Sequence, residues 1–173
     1  MASAIQIAVC VALKRCMNRL IEPEIVQNDA IAAVVLWAFV NEYCTLKPEG
    51  VSLLWLVPIL PIVFHNDTVE SIYNRNYDGG MLLALAQDRT LVSGLQGRME
   101  SMTAQTLSAL NVALAAKLIE IDESGRNVVS LRRTPPFTYG LNIKPLIATA
   151  ERLGYWFGSS SDDMIASSLR IRF

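Results

Sequence analysis

The sequence predicts a mainly α-helical fold with a small β-hairpin (α+β), in which a helical N-terminal half packs on a winged helix-turn-helix-like C-terminal half. Three patterns predict it. Apolar residues recur at helical steps from Asn28 to Cys44, an apolar stripe follows Thr103, and the hydrophobic period changes to two between Ile119 and Leu131. We therefore divide the chain into a helical N-terminal lobe, 1–78, and a winged-helix-like C-terminal lobe, 79–173, that ends in a helix and a strand.

The N-terminal lobe starts with an apolar segment, 1–27, that we expect to form an additional helix. The next helix runs to Cys44, with Asn28 or Asp29 as its N-cap. The sequence Lys-Pro-Glu-Gly at 47–50 predicts the turn that ends it.

The most hydrophobic stretch, Val51–Phe64, follows this turn. It is shorter than the roughly 20 residues that span a bilayer, and Pro58 and Pro61 interrupt its backbone hydrogen bonds. We predict a buried core segment of two short helical pieces bent at the prolines, and no membrane partner. Asp67 and Glu70 then have the spacing of a capping box for a short helix.

The C-terminal lobe has the pattern of two helices followed by a hairpin. The first helix places five apolar residues on one face, although Gly94 and Gly97 weaken it: Leu82, Leu85, Val92, Leu95 and Met99. Thr103 is the expected N-cap of the second helix, with Met102 and Leu107 as a hydrophobic staple. Its stripe consists of Leu107, Leu110, Leu114 and Leu118. Two strands that turn at Glu123–Arg126 complete the order of a winged helix-turn-helix unit.

The chain closes with a long helix and a short strand. Asn142 is the expected cap of this helix, and Pro145 is allowed in its first turn. The sequence Leu169–Phe173 alternates apolar and cationic residues, which is typical of an edge strand.

Composition favours an interaction protein. Hydrophobic residues make up 52% of the chain and charged residues 18%, so apolar surface is left over for a partner interface. A net charge of −1 excludes a general polyanion binder. Cys10, Cys16 and Cys44 are widely spaced, and we interpret them as free thiols of a cytoplasmic protein.

No set of residues predicts catalysis, a cofactor or a metal. His65 is the only histidine, and no third group is visible to orient it, so we expect a structural or interface role. There is no Walker motif. Asp162 and Asp163 are interpreted as a helix start, and Asp122 with Glu123 as a solvated turn. The sequence therefore predicts a protein that is not an enzyme.

DNA binding is the alternative function, because winged helices often bind DNA. Against it, the second helix of the unit carries one cation, Lys117, and phosphate contacts supply most of the affinity in such modules. The other cations lie in the wing and the tail: Arg126, Arg132, Arg133, Arg170 and Arg172. They suit either a phosphate backbone within a larger complex or an acidic protein surface. A winged-helix transcriptional regulator stays the alternative to a protein-facing adaptor.

Several segments, in this order, resemble the middle components of bacterial ABC three-component (Lamassu-type) defence systems. They are Asn28–Ala30 with the apolar helix to Tyr43, Leu60–His65, Asp67–Ser71, Ala150–Phe157 and Ser168–Phe173. The likeness covers residues 28–173 and leaves 1–27 unmatched.

The resemblance implies a role: an adaptor between an ABC/SMC-like ATPase and an effector, often a nuclease, in defence against phages or plasmids. We expect partner contacts at His65 and Glu70, which flank the family-like segment, and at Arg132 and Arg133 after the wing. Trp156 and Phe157 are candidates because large aromatic residues often anchor interfaces, with core packing as the alternative for both.

Overall fold

The structure, a computed structural model, describes residues 28–73, 92–131, 134, 140 and 142–173. Within these residues the α-helices are α1 (Asp29–Leu46), α2 (Ile59–Val63), α3 (Asn66–Tyr73), α4 (Leu95–Ala115), α5 (Lys144–Gly158) and α6 (Asp162–Leu169). The strands are β1 (Val51–Ser52), β2 (Ile119–Ile121) and β3 (Asn127–Ser130), and a 3₁₀ helix covers Leu53–Leu56. The predicted mainly helical α+β class is confirmed.

Helix α1 is the centre of the fold. The side chain of Asn28 caps it by accepting hydrogen bonds from the amides of Ala30 (2.9 Å) and Ile31 (3.2 Å), as predicted. Every residue from 31 to 40 is buried. A helix that is apolar all round needs neighbours on all sides, and α1 packs most extensively on α5, then on α4, and also on the sheet.

Length and composition alone would let α1 cross a membrane. It is the one helix of the described residues that meets both criteria. The core helix of a soluble protein passes the same test, and 67% of this helix is buried inside the fold. The finding is therefore weak evidence for a membrane span.

The small sheet joins distant parts of the chain in the order β1-β3-β2, with antiparallel pairs throughout. Val51 pairs with Val128, so the prediction that the whole run from Val51 to Phe64 is helical is wrong at its start. Gly50 allows this pairing. It has a φ of +90°, and a Cβ there would lie 2.7 Å from the carbonyl oxygen of Val128.

The rest of the apolar run forms the two predicted helical pieces, the 3₁₀ helix and α2, on either side of Pro58. Helix α3 then starts two residues earlier than a capping box with Asp67 as N-cap requires. The carbonyl of His65 accepts the amides of Thr68 and Val69, both at 3.0 Å, and Asp67 lies inside the first turn. The prediction of Asp67 as cap is wrong, because the main chain at His65 already starts the helix.

Helix α4 is continuous through the predicted cap at Thr103. The Thr103 hydroxyl donates to the carbonyl of Met99 at 2.7 Å, so it is satisfied within the helix and marks no boundary. Leu107 is 54% exposed, so neither the predicted staple nor the start of the leucine stripe is correct. The buried face is instead formed by Leu95, Met99, Thr106, Ala109, Leu110 and Ala113. The upstream predictions at Leu82 and Leu85 lie outside the described residues.

The hairpin from β2 to β3 is as predicted, and the end of the chain differs in two places. Helix α5 has Pro145 in its first turn, as predicted. Ile143 occupies the N-cap position and no side chain caps the helix, so the prediction of Asn142 as the cap is wrong. Leu169 is the last residue of α6, and Arg170 ends that helix with a left-handed φ of 55°. The predicted terminal edge strand is therefore wrong.

Both predicted lobes contribute to one hydrophobic core. Residues from α1, α2, α4, α5, α6 and the sheet belong to a single buried cluster. The boundary proposed at 78/79 lies outside the described residues, as does the segment 1–27, and both stay predictions.

Candidate partner-contact site

The structure describes four of the six residues predicted to contact a partner. His65 and Glu70 lie at and near the start of α3, and Trp156 and Phe157 lie near the end of α5. Arg132 and Arg133 are outside the described residues.

His65 is partly exposed and belongs to the start of α3. Its Nδ1 lies 2.9 Å from the hydroxyl oxygen of the buried Thr68, and its carbonyl accepts two amides of the first turn. Glu70 is exposed on the same helix. The imidazole therefore has a structural function at the helix start.

Trp156 and Phe157 are packed inside the protein. Trp156 is 1% and Phe157 0% exposed. The Phe157 ring meets Phe39 (5.4 Å between centroids) and Trp55 (5.7 Å) edge to face. Side chains with no free surface cannot contact a partner in this conformation, so core packing, the alternative given above, accounts for both.

Seven large apolar side chains among the described residues are exposed, and the sequence patterns did not identify them as surface residues. They are Leu46, Leu54, Leu107, Ile121, Leu131, Met164 and Phe173. Leu107 was expected in a buried stripe and Leu54 in a buried run. Only burial by distant elements decides which residues of an apolar segment stay exposed, so local patterns did not reveal them.

Two acidic side chains face each other where α1 crosses α5. The backbones approach closely at Gly154, and Glu42 on α1 and Glu151 one turn before Gly154 lie beside this crossing. Burial raises the pKa of Glu42. Burial and then the charge of Glu42 raise the pKa of Glu151, while Arg152 opposes the shift. The carboxylates therefore destabilise the folded chain when both are ionised.

Replacement of Glu151 by glutamine is expected to stabilise the protein at neutral pH. A carboxyl with a raised folded pKa holds its proton longer in the folded state, so stability falls as pH rises through that pKa and stays low above it. The partly exposed position limits the gain to about 0.5 kcal/mol. Urea unfolding at pH 4 and pH 7 measures it, with Glu120→Gln on β2 as the exposed control. A loss of stability in Glu151→Gln at pH 7 would contradict the raised pKa of Glu151.

The acidic turn of the hairpin has a local structural role, as predicted. Asp122 accepts hydrogen bonds from the amides of Asn127 and Arg126, both at 3.0 Å, and from the hydroxyl of Ser124 at 2.8 Å. The bond from Asn127 contributes most to lowering the pKa of Asp122. In the parts of the chain that the structure describes, no three His, Cys, Asp or Glu side chains are grouped to hold a metal, and the Cys44 thiol is buried.

Fold and surface together define a mainly helical α+β protein in which His65 lies at a helix start, Trp156 and Phe157 lie in the core, and several apolar side chains are exposed. The model of the family MC3, ABC-three component (ABC-3C) system Middle Component 3, matches residues 17–173, and the chain belongs to this family. The match extends further towards the N-terminus than the likeness recognised from residue 28. No curated protein and no solved structure matches the chain.

Proposed function

We propose that this middle component is a non-catalytic adaptor that joins an ABC/SMC-like ATPase to an effector, often a nuclease, in a Lamassu-type system that defends against phages or plasmids. Membership of the Middle Component 3 family carries the proposal. A middle component implies other components of the same system with which it assembles. We place the protein in the cytoplasm, where thiols such as that of the buried Cys44 stay reduced.

The distribution of side chains supports an adaptor. Polar residues that sequence reasoning considered for chemistry, His65 and Asp122, are engaged in a helix start and a turn. Leu54 and Phe173 are more than half exposed. Exposed apolar surface of this kind gains free energy when a partner removes it from water.

The alternative, a winged-helix DNA-binding regulator, has one observation in its favour. Helix α4 leads into the hairpin β2–β3, and β1 adds a third strand beside β3. The small number of cations argues against DNA binding by α4. Arg98 is the single cation of this helix, and its Nη1 already donates to the carbonyl of Ser93 at 2.8 Å. DNA contact within the assembled complex remains part of the adaptor proposal.

The adaptor function is tested by co-expressing the chain with each component encoded beside it. We expect the tagged chain to retain the ATPase component through size-exclusion chromatography, and the isolated chain to hydrolyse no ATP. Titration with duplex DNA provides the comparison. Salt-sensitive DNA binding by the isolated chain, combined with no retention of any component, would favour the regulator and contradict the adaptor.

A further inference from the structure

The last residues of the chain are held against the start of α4 and the 3₁₀ helix. After the left-handed turn at Arg170, Ile171 is buried in the core. Gln96 holds the main chain of Arg172 from both sides: its Oε1 accepts from the Arg172 amide at 3.2 Å and its Nε2 donates to the Arg172 carbonyl at 3.3 Å. The Phe173 ring then lies edge-on to Trp55, with 5.2 Å between the centroids. The segment is thus fixed in place.

This arrangement leaves apolar surface on the outside. Trp55 is buried, while Phe173, which packs on it, is 58% exposed, and Leu54, its neighbour in the chain, is 54% exposed. The Phe173 ring is supported by the buried Trp55 indole, and Leu54 is the residue that precedes Trp55 in the chain. We call Leu54, Gln96, Arg170, Arg172 and Phe173 the C-terminal surface.

The C-terminal surface contains two arginines and no acidic side chain. Arg170 and Arg172 are exposed, and neither guanidinium has a hydrogen bond or ion pair to any residue that the structure describes. The first turn of α4, beside Arg172, contains no acidic residue and has no side-chain cap. Within that turn two buried nitrogens of Arg98, Nε and Nη2, have no hydrogen-bond partner among the residues that the structure describes. Glu100 is the acidic residue one turn further along, and Gln96 donates to it at 3.3 Å.

We propose that the C-terminal surface docks an acidic, amphipathic segment of another component of the ABC three-component system, a step that rests on the proposed adaptor function. Charge complementarity selects the partner: carboxylates pair with Arg170 and Arg172, while apolar side chains cover Leu54 and Phe173. A nucleic acid fits less well, because two exposed arginines provide few phosphate contacts and DNA would leave the apolar side chains poorly covered.

The test uses the full chain co-expressed with the ATPase and effector components. Leu54→Asp and Arg172→Glu are expected to weaken binding of one component roughly tenfold each, which corresponds to about 1.4 kcal/mol. Matched controls lie elsewhere: Leu107→Asp on an equally exposed leucine of α4, and Arg126→Glu at the hairpin turn. We expect the controls to bind like the wild type, and wild-type binding to weaken with added salt, because charge pairs at an exposed surface are screened.

The possible outcomes separate the two proposals. If the wild type binds a component and both surface variants bind equally well, the docking surface is wrong and the adaptor function stands. If the wild type binds neither component, both proposals fail. If Arg172→Glu loses binding only to duplex DNA, the surface contacts nucleic acid and the inference is overturned. Thermal unfolding of each variant verifies that the fold is intact, as expected for substitutions at exposed side chains.

Discussion

Replacement of Gly154 by alanine is expected to lower the free energy of unfolding by at least about 2 kcal/mol, because the added methyl group has no space. A Cβ at this position would come closer than 3.0 Å to the carbonyl oxygen of Phe39 and would lie 3.0 Å from the Cβ of Glu42 and 3.1 Å from the amide nitrogen of Tyr43. Two of these atoms are main chain of α1. Helices α1 and α5 must therefore separate, and theirs is the most extensive contact in the fold.

Gly97 supplies the matched control for this substitution. It lies inside α4, where a Cβ would meet nothing within 4 Å. Alanine favours a helix over glycine by up to about 1 kcal/mol, so Gly97→Ala is expected to stabilise the chain. Urea unfolding of both variants measures the difference. If Gly154→Ala were as stable as Gly97→Ala, the helices would not cross at Gly154.

Truncation of Phe157 to alanine is expected to cost about 3–5 kcal/mol of unfolding free energy, the usual range for a buried phenylalanine. Phe157 is fully buried and joins Phe39 of α1 to Trp55 of the 3₁₀ helix, so its removal leaves a cavity between three elements. A loss of this size shifts the melting temperature by roughly 6–20 °C in a chain of this length.

Leu107→Ala is the control, since this side chain is 54% exposed and its truncation changes stability by less than about 0.5 kcal/mol. Differential scanning calorimetry of both variants gives the comparison. If Phe157→Ala melted like the wild type and differed from it only in partner binding, the core role would be contradicted and Phe157 would be an interface residue.

Three signals that act over a few residues predicted their elements correctly. Asn28 at the start of α1, Pro145 in the first turn of α5, and the turn at Glu123–Arg126 each act through residues a few positions away. Pairing between distant segments was not predictable in this way. Val51 continues an apolar run whose local pattern is helical, and only its partner Val128 makes it a strand. Thr103 resembles a cap, but its hydroxyl bonds back to Met99.

The candidate site was less predictable than the fold. Trp156 and Phe157 were chosen for their size, and size equally favours the core, where the structure places them. The arginines of the tail were recognised, but as part of an edge strand. Their placement depends on the left-handed turn at Arg170 and on the hydrogen bonds that Gln96, more than 70 residues earlier in the chain, makes to the main chain of Arg172.

The most direct test of the adaptor role is the mass, by size-exclusion chromatography with light scattering, of the particle formed by the ATPase and effector components with and without this chain. We predict one particle that contains all three when the chain is present, and two separate species when it is omitted. An ATPase–effector particle that forms equally well without the chain would contradict the account.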